Sequence, residues 1–173
     1  MRMEHRDLHP AALEPDEILK QCDVRRSRAS GPGGQNRNKV ETAITLTHRP
    51  TSITGSATER RSQIENQRIA LFRLRVNLAL QIRCSIDAQA GPSELWRTRS
   101  KGGRIALNPS HDDFPSMLAQ AMDAIAALNW DMARAAAFLA VSSSQLVKLL
   151  KDEPRALQQV NQQREASGQS RLR

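Results

Sequence analysis

From about Thr58 to Arg83 the sequence reads as one long helix carrying two apolar stripes, and this stretch most restricts what the chain can fold into. At 100° per residue, Ile69, Phe72, Val76 and Leu80 form one stripe and Ile64, Leu71, Leu78 and Ile82 another, with Arg68 and Arg75 projecting between them. Gln63, Asn66, Arg73, Asn77 and Gln81 make up the polar remainder. Such a helix needs apolar cover on two sides. The preceding residues supply one: Val40 to Thr47 is rich in β-branched residues, with Ile44 and Leu46 alternating against Thr45 and Thr47, the pattern of a half-buried strand. His48-Arg49-Pro50-Thr51 breaks it, and Ser52 to Ala57 gives a second run centred on Ile53, so the pair reads as an antiparallel hairpin. Gly55 inside that run signals a bulge or a close backbone approach. Upstream, Glu14 to Gln21 reads as a short helix with Pro15 in its first turn, and Cys22 to Ser27 as a first strand. Met1 to Ala12 is polar and reads as poorly ordered.

Between the first and second strands lies Arg28-Ala29-Ser30-Gly31-Pro32-Gly33-Gly34-Gln35-Asn36-Arg37-Asn38-Lys39. Its glycines allow the backbone to take φ > 0 and to come into near contact with a target, while Pro32 stiffens the entry. Arg25, Arg26, Arg28, Arg37 and Lys39 surround Gln35 with charge suited to phosphates. Two commoner glycine loops fail on chemistry. A nucleotide-binding P-loop needs Lys-Ser or Lys-Thr where Gln35-Asn36 stands. A dinucleotide fingerprint needs G-x-G-x-x-G, a spacing that Gly31 to Asn36 breaks.

The formal net charge of the 173 residues is +8, and it is unevenly placed. Residues 22 to 83 hold twelve Lys/Arg against four Asp/Glu, whereas residues 84 to 153 hold seven against eight. A polyanionic partner is therefore expected for the first half. Cys22 and Cys84 have no Cys-x-x-Cys spacing, so neither a disulfide framework nor a zinc site is indicated, and a reducing, cytoplasmic setting is expected. His5 and His9 are four apart, but without a third ligand nearby they read as solvated histidines, and no metal or other cofactor is expected. No apolar run approaches a membrane span, and Met1 to His9 is no secretory signal.

Ser30-Gly31-Pro32-Gly33-Gly34-Gln35, then Asn38-Lys39-x-Glu41, Thr47-His48-x-Pro50-Thr51 and Glu59-Arg60-x-x-Gln63 before a basic helix, resembles the peptidyl-tRNA hydrolase domain of class I peptide chain release factors and their codon-independent rescue relatives. The likeness runs in register from about Leu19 to Leu80. It implies an α+β fold: a small, mostly antiparallel sheet covered by a long helix. It also implies that Gly33, Gly34 and Gln35 form the catalytic loop, and that Arg26, Arg28, Arg37, Asn38, Lys39, Arg60, Arg61, Arg68 and Arg75 are the residues to contact RNA. By sequence, the helix arginines read equally well as solvated surface. Asn36-Arg37 stands where decoding release factors usually carry His-Val, and Asn after the Gln is common in the rescue branch. Only 32 residues precede Gly33, too few for a stop-codon-reading domain, so codon reading by that route is not expected.

Release of a nascent peptide is hydrolysis of an ester. The chain has no G-x-S-x-G elbow and no His-Glu-x-x-His, which leaves positioning of water and stabilisation of charge by main-chain N–H groups. The expected partners are the ribosome, at its large-subunit peptidyl-transferase centre and RNA, and peptidyl-tRNA.

Residues 1–83 are expected to form this domain and 84–104 a basic linker, with Gly91-Pro92 and Gly102-Gly103-Arg104 marking the connection. Residues 105–153 read as a small all-α module. Phe114, Leu118, Ala121, Met122, Ile125 and Leu128 give a first helix, Asn129-Trp130-Asp131 breaks and recaps, and Ser142 with Gln145 has capping-box spacing. Ala136, Leu139, Val141, Leu146 and Leu149 fall at the spacing of a helix-turn-helix core, a resemblance to bacterial DNA-binding proteins. Residues 154–173 form a Gln/Arg-rich tail. Two readings of the module stand: a packing or protein-contact element, or a reader in a non-catalytic RNA- or DNA-binding protein that uses the basic domain for docking.

Overall fold

The computed structural model describes residues 8–27, 42–87 and 89–173, and the glycine-rich segment lies outside them. The chain divides into two compact units, one of Pro10–Leu78 and one that takes in His9 and Ala79–Arg173. Among the described residues no helix is long and apolar enough to cross a membrane.

In the first unit, helix α1 (Pro15–Lys20) leads into strands β1 (Cys22–Ser27), β2 (Ala43–His48) and β3 (Ile53–Ala57), followed by the long helix α2 (Gln63–Gln81), which belongs to this unit as far as Leu78. The three strands form one antiparallel sheet in the order β1-β2-β3. In β3, Ile53, Gly55 and Ala57 are buried while Thr54 and Ser56 are exposed, the alternation of a strand with one face covered. Gly55 is there because helix and strand meet at their backbones: a Cβ on it would lie 2.3 Å from the Ala70 carbonyl oxygen and 2.4 Å from the Leu74 nitrogen. The pairing of Leu46 with Gly55 lies in an unbroken register, so of the two sequence readings the close approach holds and the bulge does not. Asn77 Nδ2 then donates to the Thr54 carbonyl at 2.7 Å and Arg73 Nη1 to that of Ser56 at 2.8 Å, strapping the helix along the strand.

Of the two expected stripes, Val76 and Leu80 of one and Leu71 and Leu78 of the other are buried, joined by Ala70 and Leu74, while Ile64 is 73% exposed and the buried place in the first turn goes to Asn66. At Gly55 the strand backbone lies against the helix backbone at Ala70 and Leu74, and on either side of that approach leucines fill the face.

The turn between β2 and β3 is locked by a buried histidine. His48 Nε2 stands 3.1 Å from Gln21 Oε1 and Nδ1 2.8 Å from Thr51 Oγ1. Burial, reinforced by neighbouring Arg49, lowers its pKa and favours the neutral ring, in which Nε2–H donates to the amide oxygen and Nδ1 accepts from the hydroxyl. Arg49 ties the same corner to β1 through the Cys22 carbonyl at 2.9 Å. His48 and Thr51 of the Thr47-His48-x-Pro50-Thr51 motif thus bond within this corner.

In the second unit, residues 84–104 carry helix α3 (Glu94–Arg99) and the hairpin of β4 (Ser100–Lys101) and β5 (Arg104–Ile105). Ser93 caps α3 by accepting from the Trp96 N–H. Trp96 is fully buried and its indole Nε1–H donates to the Leu139 carbonyl at 2.7 Å, which explains why the stretch folds. Gly102 and Gly103, with φ of 58° and 74°, make the hairpin turn.

Helices α4 (Phe114–Ala127), α5 (Met132–Phe138), α6 (Ser143–Lys151) and α7 (Pro154–Ala166) complete the unit. Leu118, Ile125, Leu139, Leu146 and Leu150 are fully buried, each contributing about 2 kcal/mol by removal from water. Asp131 caps α5 through the Ala133 and Arg134 N–H groups, and Ser142 caps α6 through that of Gln145. Gln145 does not close a capping box: its Oε1 accepts from the Ile105 N–H at 3.1 Å and ties the helix to the hairpin. The tail is held as well, with Asn161 and Leu172 exchanging hydrogen bonds of 2.7 and 3.2 Å.

Candidate nucleic-acid interface

The catalytic candidates Gly33, Gly34 and Gln35, and with them Arg28, Arg37, Asn38 and Lys39, lie outside the described residues. The structure does place the roots from which that segment springs. Ser27 at the end of β1 pairs with Ala43 at the start of β2, so the chain leaves and re-enters the sheet at adjacent positions. One row further in, Arg26 pairs with Ile44, which in turn pairs with Ala57 at the end of β3. The segment after β3 therefore starts from the same end of the sheet. Arg26, Arg60 and Arg61 are all exposed there.

This end is built around Asn66, which is 0% exposed. Its Oδ1 accepts from the Arg60 N–H at 2.9 Å, and its Nδ2 donates to the carbonyls of Arg60 at 2.8 Å and of Thr42 at 2.6 Å. One amide thus fixes the approach to α2 and the first described residue after the glycine-rich segment. Sequence periodicity puts Asn66 on the polar face, and the signal that could have singled it out is an amide one turn ahead of the small buried residue Ala70. Asn66→Ala is expected to cost about 2 to 3 kcal/mol, because three backbone groups lose a buried partner. The midpoint of urea unfolding measures this, with an unchanged slope showing that compactness is retained.

Glu59, the other motif residue in this turn, is an ion-pair partner. Arg73 donates to its carboxylate, the Thr58 N–H adds a bond of 2.8 Å, and together they hold its pKa down at about 2, Arg73 being the larger influence. Arg73 is thereby committed to Glu59 and Ser56. Of the remaining helix arginines, Arg68 is exposed. Arg75 is 7% exposed, and its Nε–H donates to the Ala11 carbonyl at 2.9 Å. Arg75 is therefore set apart from the exposed arginines by its burial and its main-chain bond. A guanidinium between two apolar stripes finds a backbone acceptor when the chain ahead of α1 covers it.

Of the arginines considered for RNA contact, Arg26, Arg60, Arg61 and Arg68 are exposed, whereas Arg75, like its neighbour Arg73, is bonded within the fold.

The chain matches the RF-1 domain over residues 16–105, and it belongs to that family, the class I peptide chain release factors. It is 42% identical over 109 residues to peptide chain release factor 1 of Chlorobaculum tepidum, a match covering 61% of this chain and 30% of that protein. It is 38% identical over 101 residues to peptide chain release factor 1 of Kocuria rhizophila, covering 56% and 27%. It is 50% identical over 64 residues to the chloroplastic peptide chain release factor PrfB1 of Arabidopsis thaliana, covering 37% and 13%. The chain therefore spans less than a third of the length of these relatives. The family match takes in the sheet, α2, α3 and the hairpin, and stops where the α4–α7 helices begin.

Proposed function

We propose that the protein is a codon-independent release or rescue factor that hydrolyses the ester of peptidyl-tRNA on the ribosome. The observation that carries the reading is family membership together with an intact Ser30-Gly31-Pro32-Gly33-Gly34-Gln35 segment rooted beside exposed Arg26, Arg60 and Arg61. Gln35 presents its main-chain N–H to the forming oxyanion or the leaving ribose oxygen, and its side chain shapes a pocket that admits water. Gly33 and Gly34 hold the backbone that aims this donor. The arginines position the domain on ribosomal RNA in a reducing, cytoplasmic setting, and the ribosome supplies the rest of the site. Asn36 after Gln35 supports the rescue branch over the decoding one. In this reading the α4–α7 module recruits a protein partner or positions the domain.

Purified protein added to ribosomes carrying labelled peptidyl-tRNA tests the reading, with an empty A site, a sense codon or a stop codon. Release that is indifferent to the codon is expected. Release at stop codons alone moves the protein to the decoding branch, and no release, combined with sequence-specific duplex binding by the chain, leaves the non-catalytic reading.

Ribosome affinity is expected to fall steeply with salt. Replacing Arg60, Arg61 and Arg68 together by Gln should reduce the slope of log K against log salt by about 2 to 3, close to one for each phosphate no longer neutralised. Arg75→Gln should leave the slope unchanged and lower the melting temperature. A salt-insensitive complex would show that the partner is engaged through protein.

A further inference from the structure

His9, Cys84 and Asp123 come from three distant parts of the chain, yet an imidazole nitrogen, the thiol sulfur and a carboxylate oxygen all lie within 4.8 Å of one another. We propose that these three side chains bind a borderline-soft divalent cation of the zinc type, with the fourth position of a tetrahedral site left to water or an incoming ligand. This is independent of the reading of the glycine-rich segment.

The donor set decides the metal class. Nitrogen and sulfur donors disfavour calcium and magnesium, which take oxygen, and match Zn²⁺ and its neighbours. Bonds of about 2.0 to 2.3 Å put tetrahedral ligands some 3.5 Å apart, so closure asks for movements of roughly 1 Å. The cluster is also preorganised. His9 and Asp123 are buried, at 8% and 5% exposure, and Cys84 is half-buried beside them. The Asp123 carboxylate accepts the Cys84 N–H at 3.0 Å, which holds the two ligands together. His9 Nε2 lies 3.4 Å from the Ile82 carbonyl, a contact that helps to orient the ring.

One group opposes the cation. Arg83 Nη1 is 3.8 Å from Asp123 Oδ1, its guanidinium held by the carbonyls of Ala79, Leu80 and Ile82. Arg83 therefore weakens the site, and removing its charge provides a test that a merely structural polar cluster would not pass.

The experiment uses the full chain, reduced and stripped with chelator, titrated with Co²⁺. Expected are thiolate-to-cobalt charge-transfer absorption saturating at one equivalent, d–d bands of a four-coordinate ion, and displacement of both by Zn²⁺. Cys84→Ser should abolish the charge-transfer band and Cys22→Ser should keep it. His9→Gln and Asp123→Asn should each weaken binding at least about tenfold, and Arg83→Gln should tighten it at least about fivefold. Circular dichroism of every variant confirms folding. The proposal is overturned by a folded wild-type chain without the thiolate band, by a band that survives Cys84→Ser, or by an affinity that Arg83→Gln leaves unchanged.

Discussion

Gly55→Ala is expected to destabilise the sheet-and-helix unit by about 3 kcal/mol or more, the upper end for overpacking, because nothing at this approach can give. The added Cβ meets the Ala70 carbonyl oxygen at 2.3 Å, the Leu74 nitrogen at 2.4 Å and its Cα at 2.7 Å, all main-chain atoms of a hydrogen-bonded helix. Relief would require α2 to lift off β3, which would break the bonds from Asn77 to Thr54 and from Arg73 to Ser56. Gly102→Ala provides the control. Gly102 has a φ of 58°, and a methyl group there would meet nothing within 4 Å, so its cost is backbone strain alone, about 1 kcal/mol. Urea unfolding of the two variants separates steric exclusion from strain. Equal, mild losses would mean that strand and helix do not touch through their backbones.

Gly33→Ala and Gly34→Ala are each expected to slow peptide release at least about 10²-fold, the scale of losing one preorganised oxyanion donor, while ribosome binding stays within a few-fold. The proposed mechanism aims the Gln35 N–H through backbone angles that a Cβ disfavours, and the exposed arginines that dock the domain are untouched by either change. Single-turnover release at saturating protein reads chemistry separately from binding. Release at the wild-type rate by both variants would remove the segment from catalysis, whereas a parallel loss of binding would make it a docking element.

Local order is legible in the sequence. The strand Cys22–Ser27 falls where the sequence places it, the hairpin Ala43–His48 and Ile53–Ala57 and the helices around it agree to within a few residues, and Asp131 and Ser142 cap the helices assigned to them. These features depend on neighbours in the chain: β-branched alternation, a proline or acid in a first turn, a hydroxyl within reach of an N–H three residues on. The composition of the glycine-rich segment and the charge asymmetry likewise need no partner to be read.

What the sequence could not decide is where a polar or small side chain finds its partner, because that partner lies elsewhere in the chain. Asn66 and Arg75 look like solvated helix positions, yet each is buried against a carbonyl that only the fold supplies, from Thr42 in one case and Ala11 in the other. Ile64 looks like core and is exposed, because the buried place in its turn is taken by an amide that meets backbone groups. His9 has no third ligand near it in the sequence, and folding brings it beside Cys84 and Asp123. Side-chain polarity fixes the cost of burial, but whether that cost is met by a hydrogen bond, an ion pair or a shared ligand is set by tertiary proximity.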